Sequence, residues 1–410
     1  MRPFEAGLRR DPSPSVDVGS EPELVERIRA EIAASGPLTF ARFMDRALYE
    51  PGLGYYRSPA ARPGRDGDFL TAPETHPVFG RALARQLDEL WAILGRPDPF
   101  TVREHGAGGG SLAVSILDGL RREGSGLLGA VRYEAIEVEA AREAEIAARL
   151  AQAGFGELLV SPLADERAEE PIVGCILANE VADALPVHRV LRHDGRLREI
   201  YVGWQNDAFA EVLGEPSAPA LAARLDAEGV ELAEGQRAEI SLAIDGWIET
   251  VAGGLRRGLL LIIDYGYPAA ELYGPRHAGG TLLGYINHRA HGDVLLNVGR
   301  QDLTAHVDLT AIERAAARAG LLSVGATTQA EFLAGLGITE LMAEAQRDPA
   351  TTLESYLALR SGVMRLLDPA ASGGFKVLGF GRNLPTRAEL RGFGWRLRPP
   401  SRDRRDTTPD

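Results

Sequence analysis

The stretch FTVREHGAGGGSLAVSILDGLRR, residues 100–122, constrains the fold more than any other. A short run with β-branched residues leads into glycines at 106, 108, 109 and 110, and an apolar-periodic helix follows with no linker. Glycines here let the chain turn sharply and leave bare backbone for a ligand to lie against. The chain then keeps alternating. VRYEAIEV reads as a strand, AAREAEIAARLAQAG as a helix stopped by Gly154, and GELLVS and PIVGCILANE as strands. Later, GLLLIIDYG resumes the buried pattern and FKVLGFGR closes it. Strands alternating with helices predict an α/β fold around a mostly parallel sheet covered on both faces.

Other segments frame that core. Residues 1–21, rich in Pro, Ser and charge, predict a flexible N-terminus. Residues 22–98 predict a helical and loop region, with Leu24, Ile28 and Ile32 at helical spacing and a long loop over 50–74 that mixes aromatics, glycines and acids. The core begins over 99–186. VHRVLRHDGRLREIYVGW predicts a hairpin about HDGR within an inserted subdomain, 187–235. A helix is expected over 236–256, with Ile240, Ile244, Trp247, Val251 and Leu255 on one face, opening the remainder of the core over 236–383. The tail, 384–410, is rich in Arg, Pro and Asp and is expected to be flexible.

Bulk properties exclude some classes. A formal net charge of −13 argues against nucleic-acid binding, which needs a basic face. The single cysteine, Cys175, rules out an internal disulfide or a cysteine-based zinc site. No apolar stretch reaches membrane-span length and no secretory h-region opens the chain, so no membrane insertion and a cytoplasmic location are expected. Lysine occurs once, at Lys376, which reads as the codon bias of a GC-rich, bacterial genome.

Two ligands compete for the glycine turn. Gly108, Gly110 and Ala113 satisfy a dinucleotide G-x-G-x-x-A, with Glu134 or Glu137 about twenty residues on as the ribose acid. Glu104, Gly106, Gly108 and Gly110 satisfy instead the pattern of an acid two residues before G-x-G-x-G, used for S-adenosyl-L-methionine. A carboxylate at Glu104 helps hold the ammonium of that cofactor, whereas it would repel a pyrophosphate. Glu137, at the end of the next strand, suits ribose hydroxyls in either case. Two further strand ends carry polar clusters, ANEVADALP and DYGYP. They would bring Asn179, Glu180, Asp183, Asp264 and Tyr265 to the ligand crevice.

These motifs resemble the MidA-like family of S-adenosyl-L-methionine-dependent methyltransferases, over about residues 22 to 382. The resemblance rests on GPLTFARFMDRALYEPGLGYY, GDFLTAPETHPVFGRALARQLDELW, EHGAGGGSLA, ANEVADALPVH, LIIDYGYP and QDLTAHVD. It implies a Rossmann-like, seven-stranded class I methyltransferase sheet with an N-terminal helical segment and an inserted small subdomain. It also implies cofactor contacts at Gly106, Gly108, Gly110 and Glu137. Mitochondrial members of the family are complex I assembly factors that dimethylate an arginine of a core subunit, so a protein arginine is the implied substrate. Ala107 and Gly109 stand where relatives often have Pro and Arg, and Val181 and Ala182 stand where they have two Phe. The second departure bears on the substrate more than on the cofactor.

For an arginine substrate, carboxylates that grip the guanidinium orient one nitrogen and localise charge on the other. Glu180 and Asp183 are the candidates, with Asp264 a third. Asp68, Phe69 and Glu74 in the long N-terminal loop, and Tyr265, are expected at the substrate. His288 is a candidate general base; the H-x-x-H it forms with His291 lacks a third ligand, so no metal is expected. Cofactor contacts are expected from Glu104, Gly106, Ala107, Gly108, Gly110, Glu137 and Asn179. Asp308 is expected to cap the following helix. A small-molecule O-, N- or C-methyltransferase and a cofactor-binding assembly chaperone without turnover are the alternatives, and the composition allows a homodimer.

Overall fold

A computed structural model describes residues 17–58, 71–160, 170–385 and 389–395. Its central sheet has seven strands: β1 (Phe100–His105), β2 (Val131–Ile136), β3 (Leu159–Val160), β4 (Ile172–Asn179), β5 (Leu255–Asp264), β6 (Leu322–Thr328) and β7 (Lys376–Arg382). Their spatial order is 6-7-5-4-1-2-3. β1 to β5 pair in parallel, and β7 runs antiparallel to both β5 and β6. β5 is almost continuously apolar because both of its faces are covered, as parallel sheets require. The chain moves outward from β1 through β2 and β3, then returns to place β4 on the other side of β1. The crevice beyond the carboxyl ends of β1 and β4 is therefore the topological switch point, where such sheets bind ligands.

The helices that matter to the site are α1 (Pro22–Ser35), α2 (Phe40–Tyr49), α3 (Val78–Ile93), α4 (Ser111–Arg122), α5 (Ala140–Gln152), α6 (Ala243–Gly253) and α7 (Leu309–Arg318). α2 starts where Thr39 Oγ1 accepts the N–H of Arg42 at 3.2 Å, and α7 where Asp308 Oδ1 accepts that of Ala311 at 3.0 Å. α3 and α4 pack together over one face of the sheet, and α6 and α7 over the other. α1 and α2 form their own apolar cluster with Tyr55, Val202 and Val298.

The inserted region makes a second, antiparallel sheet from His188–His193, Arg196–Gln205, Ala208–Gly214 and Arg237–Ile240, with Leu38–Thr39 paired to its long strand. The turn at Asp194 and Gly195 has φ of 50° and 69°, the left-handed pair that a two-residue hairpin favours. Arg237–Ile240 lies where a helix was expected. It pairs with His188–Leu191, and the helix starts only at Ala243. The Ile240–Ile244 spacing fits helical periodicity by running from a strand into a helix.

The ends of the described chain are also fastened. Val18 N–H donates to Asn297 Oδ1 and Glu21 N–H to the Val298 carbonyl, both at 2.8 Å. Residues 389–395, within the tail expected to be flexible, include a helical turn at Arg391–Gly394 that seats Leu390 and Phe393 in the core. Burying one such side chain contributes about 1.5–3 kcal/mol.

Candidate functional site

The glycine turn and the ends of β1, β2 and β4 surround a cavity of about 360 Å³. Glu104 and His105 end β1, and Gly106 to Gly110 form the turn into α4. Two glycines there, both at positive φ, shape the turn in different ways. A Cβ on Gly106, at φ 69°, would sit 2.8 Å from Val181 Cγ2, so the turn can close on the loop after β4 only with glycine at 106. Gly108, at φ 56°, gives its N–H to Glu137 Oε1, and a Cβ there would meet open space. The turn thus offers bare backbone to the cavity, while Glu137 fixes it from the end of β2. Gly110 N–H closes the turn on the Ala107 carbonyl at 2.9 Å.

Glu104 is 3% exposed, and its Oε2 accepts the Tyr133 hydroxyl at 2.6 Å. Burial pushes its carboxyl up to about 8, which Tyr133 partly offsets and the nearby Glu137 adds to. Burial likewise raises Glu137 above the ordinary range. His105 is pushed down to about 4 by burial, then by Arg103, so its imidazole is neutral. A buried carboxyl with no cation paired to it among the described residues, beside an open glycine cradle and a second acid, fits a ligand carrying an ammonium and vicinal hydroxyls.

The opposite wall comes from the end of β4. Glu180 adopts φ 54°, a left-handed backbone uncommon for a side chain of its size. Its Oε1 accepts Ala72 N–H and Asn179 Nδ2–H, both at 3.0 Å. Burial pushes its carboxyl up to about 8. The Asn179 amide spends its NH₂ on Glu180, leaving Oδ1 buried with no donor among the described residues. Glu74 lines the same cavity, held by the Thr71 hydroxyl at 3.2 Å, and burial raises its carboxyl.

Several expected site residues lie elsewhere. Asp264 is 1% exposed and does not line the cavity. Its Oδ2 accepts the N–H groups of Val181, Ala182 and Asp183 at 3.2, 2.9 and 3.3 Å, and its Oδ1 that of Tyr265 at 2.8 Å. With its oxygens turned onto backbone, Asp264 anchors the loop that carries Glu180 rather than gripping a substrate. Asp183 and Tyr265 stand behind the same loop. Tyr265 donates its hydroxyl to the Asp183 carboxylate, which burial pushes up to about 6. His288 is exposed at a hairpin tip with φ 60°, away from the cavity lining, and His291 beyond it is buried. The hairpin splits the H-x-x-H pair. Asp68 and Phe69 lie outside the described residues.

Three aromatic lining residues escaped the sequence reading: Tyr49, Tyr56 and Trp247. Trp247 belongs to the apolar face of α6, and it packs against that core while reaching the cavity. Tyr49 and Tyr56 come from the ALYEPGLGYY segment, whose unusual mix of aromatics and glycines was the available signal.

Comparison with known proteins agrees with this geometry. A family model of S-adenosyl-L-methionine-dependent methyltransferases matches residues 82–327. A COG1565 superfamily member from Burkholderia thailandensis, crystallised with S-adenosyl-homocysteine, superposes with a TM-score of 0.83 at 34% identity, over 91% of this chain and 95% of that one. The mitochondrial protein arginine methyltransferase NDUFAF7 homologue of Drosophila melanogaster is 29% identical over 380 residues, 85% of this chain and 82% of its own length. Homo sapiens NDUFAF7, of the same name, is 26% identical over 374 residues, 85% and 81% of the two chains. The strand order, the glycine cradle with its two acids, and these likenesses agree: the chain belongs to the MidA-like family of S-adenosyl-L-methionine-dependent methyltransferases.

Proposed function

We propose that this methyltransferase acts on a nitrogen of a protein arginine. The observation that carries this reading is Glu180: a buried carboxyl on a strained backbone, in the wall of the cofactor cavity, with one oxygen free of backbone donors. The NDUFAF7 relatives, named as protein arginine methyltransferases, support the same class.

The cofactor supplies an electrophilic methyl group when bound. Glu104 would hold its ammonium, Glu137 its ribose hydroxyls, and the backbone of Gly106 to Gly110 would lie against it, with Ala107 part of that wall. The remaining work is positioning and proton removal. Glu180 holds its proton in the free protein. An arriving guanidinium favours the ionised carboxylate, which grips the cation and fixes its plane. Oε1 stays on the Ala72 and Asn179 N–H groups, so Oε2 faces the substrate and receives the proton the nitrogen sheds. Asp264 and Asp183 act through the loop: they hold Glu180 at its φ and do not touch the substrate.

The test is transfer of labelled methyl from S-adenosyl-L-methionine into the proteome of a strain lacking this gene, followed by analysis of the labelled species. Methylarginine in protein supports the reading. Label confined to small molecules, or to other residue types, overturns it.

A further inference from the structure

Tyr49, the last residue of α2, and Tyr56, in the helical turn Tyr55–Arg57, stack with ring centroids 5.6 Å apart and planes 21° from parallel. Both rings line the cofactor cavity. Both hydroxyls are engaged: Tyr49 donates to the Ala184 carbonyl at 2.9 Å and Tyr56 to Asp302 Oδ1 at 2.8 Å. The pair therefore offers ring rather than hydroxyl. Those rings are held in place, because one hydroxyl is tied to the turn that follows Glu180 and the other to the strand Asp302–Thr304. An aromatic face is electron-rich and attracts cations. The titratable groups around it are mostly acids whose ionised form a cation would favour: Glu74, Glu104, Glu137 and Glu180 line the cavity against a single guanidinium, Arg142, among the described residues. Beside the Glu180 carboxyl, the orphaned Oδ1 of Asn179 needs an N–H donor to satisfy it.

We infer that Tyr49 and Tyr56 are the substrate-selecting wall of this site: their faces stack on a planar, N–H-rich cation while Glu180 and Asn179 Oδ1 take its N–H groups. The inference rests on the arginine reading above and adds what makes the site choose guanidinium over ammonium. A flat cation covers a fixed ring and still points N–H groups at in-plane acceptors; a tetrahedral ammonium does one at the expense of the other. The wall lies outside the residues matched by the family model, so the N-terminal helices contribute selectivity to a cofactor site built by the sheet.

The test uses the full chain saturated with S-adenosylhomocysteine and two probes, ethylguanidinium and propylammonium, followed by calorimetry and by nuclear Overhauser effects to labelled tyrosine rings. The wild type is expected to prefer ethylguanidinium about tenfold or more, the scale of a desolvated cation–π contact. Tyr49→Leu and Tyr56→Leu each abolish that preference, and Tyr49→Phe and Tyr56→Phe keep it, with S-adenosylhomocysteine held at saturation for each variant. Preference retained in the leucine variants overturns the wall and leaves the arginine reading standing. A wild type that prefers propylammonium, or binds neither probe, overturns both. Should the leucine variants fail to fold, contacts between the ethyl protons and the Tyr49 and Tyr56 rings of the wild type decide: their absence from a bound probe overturns the wall.

Discussion

Glu104 makes cofactor affinity depend on pH in a way that can be worked from its surroundings. In the free protein its carboxyl is held at about 8 by burial, with the Tyr133 hydroxyl its one hydrogen-bond donor among the described residues. An ammonium in the cavity wants the carboxylate, so binding expels a proton. Below 8 the ionised fraction falls about tenfold per pH unit, and affinity falls with it, at about 1.4 kcal/mol per unit. From pH 7.5 to 5.5 the wild type should lose about a hundredfold in affinity for S-adenosylhomocysteine, while releasing close to one proton per molecule bound at pH 6.5. Glu104→Gln removes the titration. Its affinity should be nearly level over that range, far below wild type at pH 7.5 and converging with it at pH 5.5, where both side chains are neutral. Calorimetry in buffers of differing ionisation enthalpy reads both quantities. A level wild-type profile, or a constant offset between the two proteins across the range, would refute the reasoning.

Four further variants test the site. Glu180→Gln should bind S-adenosylhomocysteine within a few-fold of wild type but methylate at least a hundredfold more slowly, by the scale of a lost general base. The same variant separates pH terms in stability. A carboxyl raised to about 8 stabilises the fold fully below its unfolded value near 4.3, and this is lost as pH rises through 8, so melting temperatures of variant and wild type should agree at pH 4 and favour the variant at pH 9. Gly108→Ala should weaken cofactor binding about tenfold by filling the open space beside the turn, and lower stability by about 1–2 kcal/mol through the left-handed backbone; unchanged affinity by calorimetry would contradict the cradle. Asp264→Asn puts an amide NH₂ among four backbone N–H groups and should cost about 2–4 kcal/mol, seen as a lower melting temperature with activity falling alongside. His288→Ala should leave methyl transfer within about twofold of wild type, because an exposed hairpin tip removes no more than a surface contact.

What was legible in the sequence was what local pattern controls. The glycine turn, the acid two residues before it and the acid ending the next strand are set by strand–turn–helix geometry, and Glu104, Gly108 and Glu137 do meet at one cavity. Residue type was legible at the other strand ends, but direction was not. Asp264 and Glu180 are both acids at carboxyl ends of neighbouring strands. Asp264 turns inward under the loop of the neighbouring strand, and Glu180 is swung outward by a positive φ. No spacing rule separates them, because the difference lies in which backbone N–H groups the loop leaves unpaired. The tyrosine wall was illegible for another reason. Its hydroxyls are tied to partners 135 and 246 residues away in sequence, so its place is set by tertiary packing alone. That division has a chemical consequence. Cofactor chemistry sits on the sheet, where periodicity reveals it. Substrate choice sits on contacts between the N-terminal helices, the loop after Glu180 and the strand Asp302–Thr304. A relative can therefore keep the first unchanged while the second diverges. In this chain, Val181 packed against Gly106 marks where the two meet.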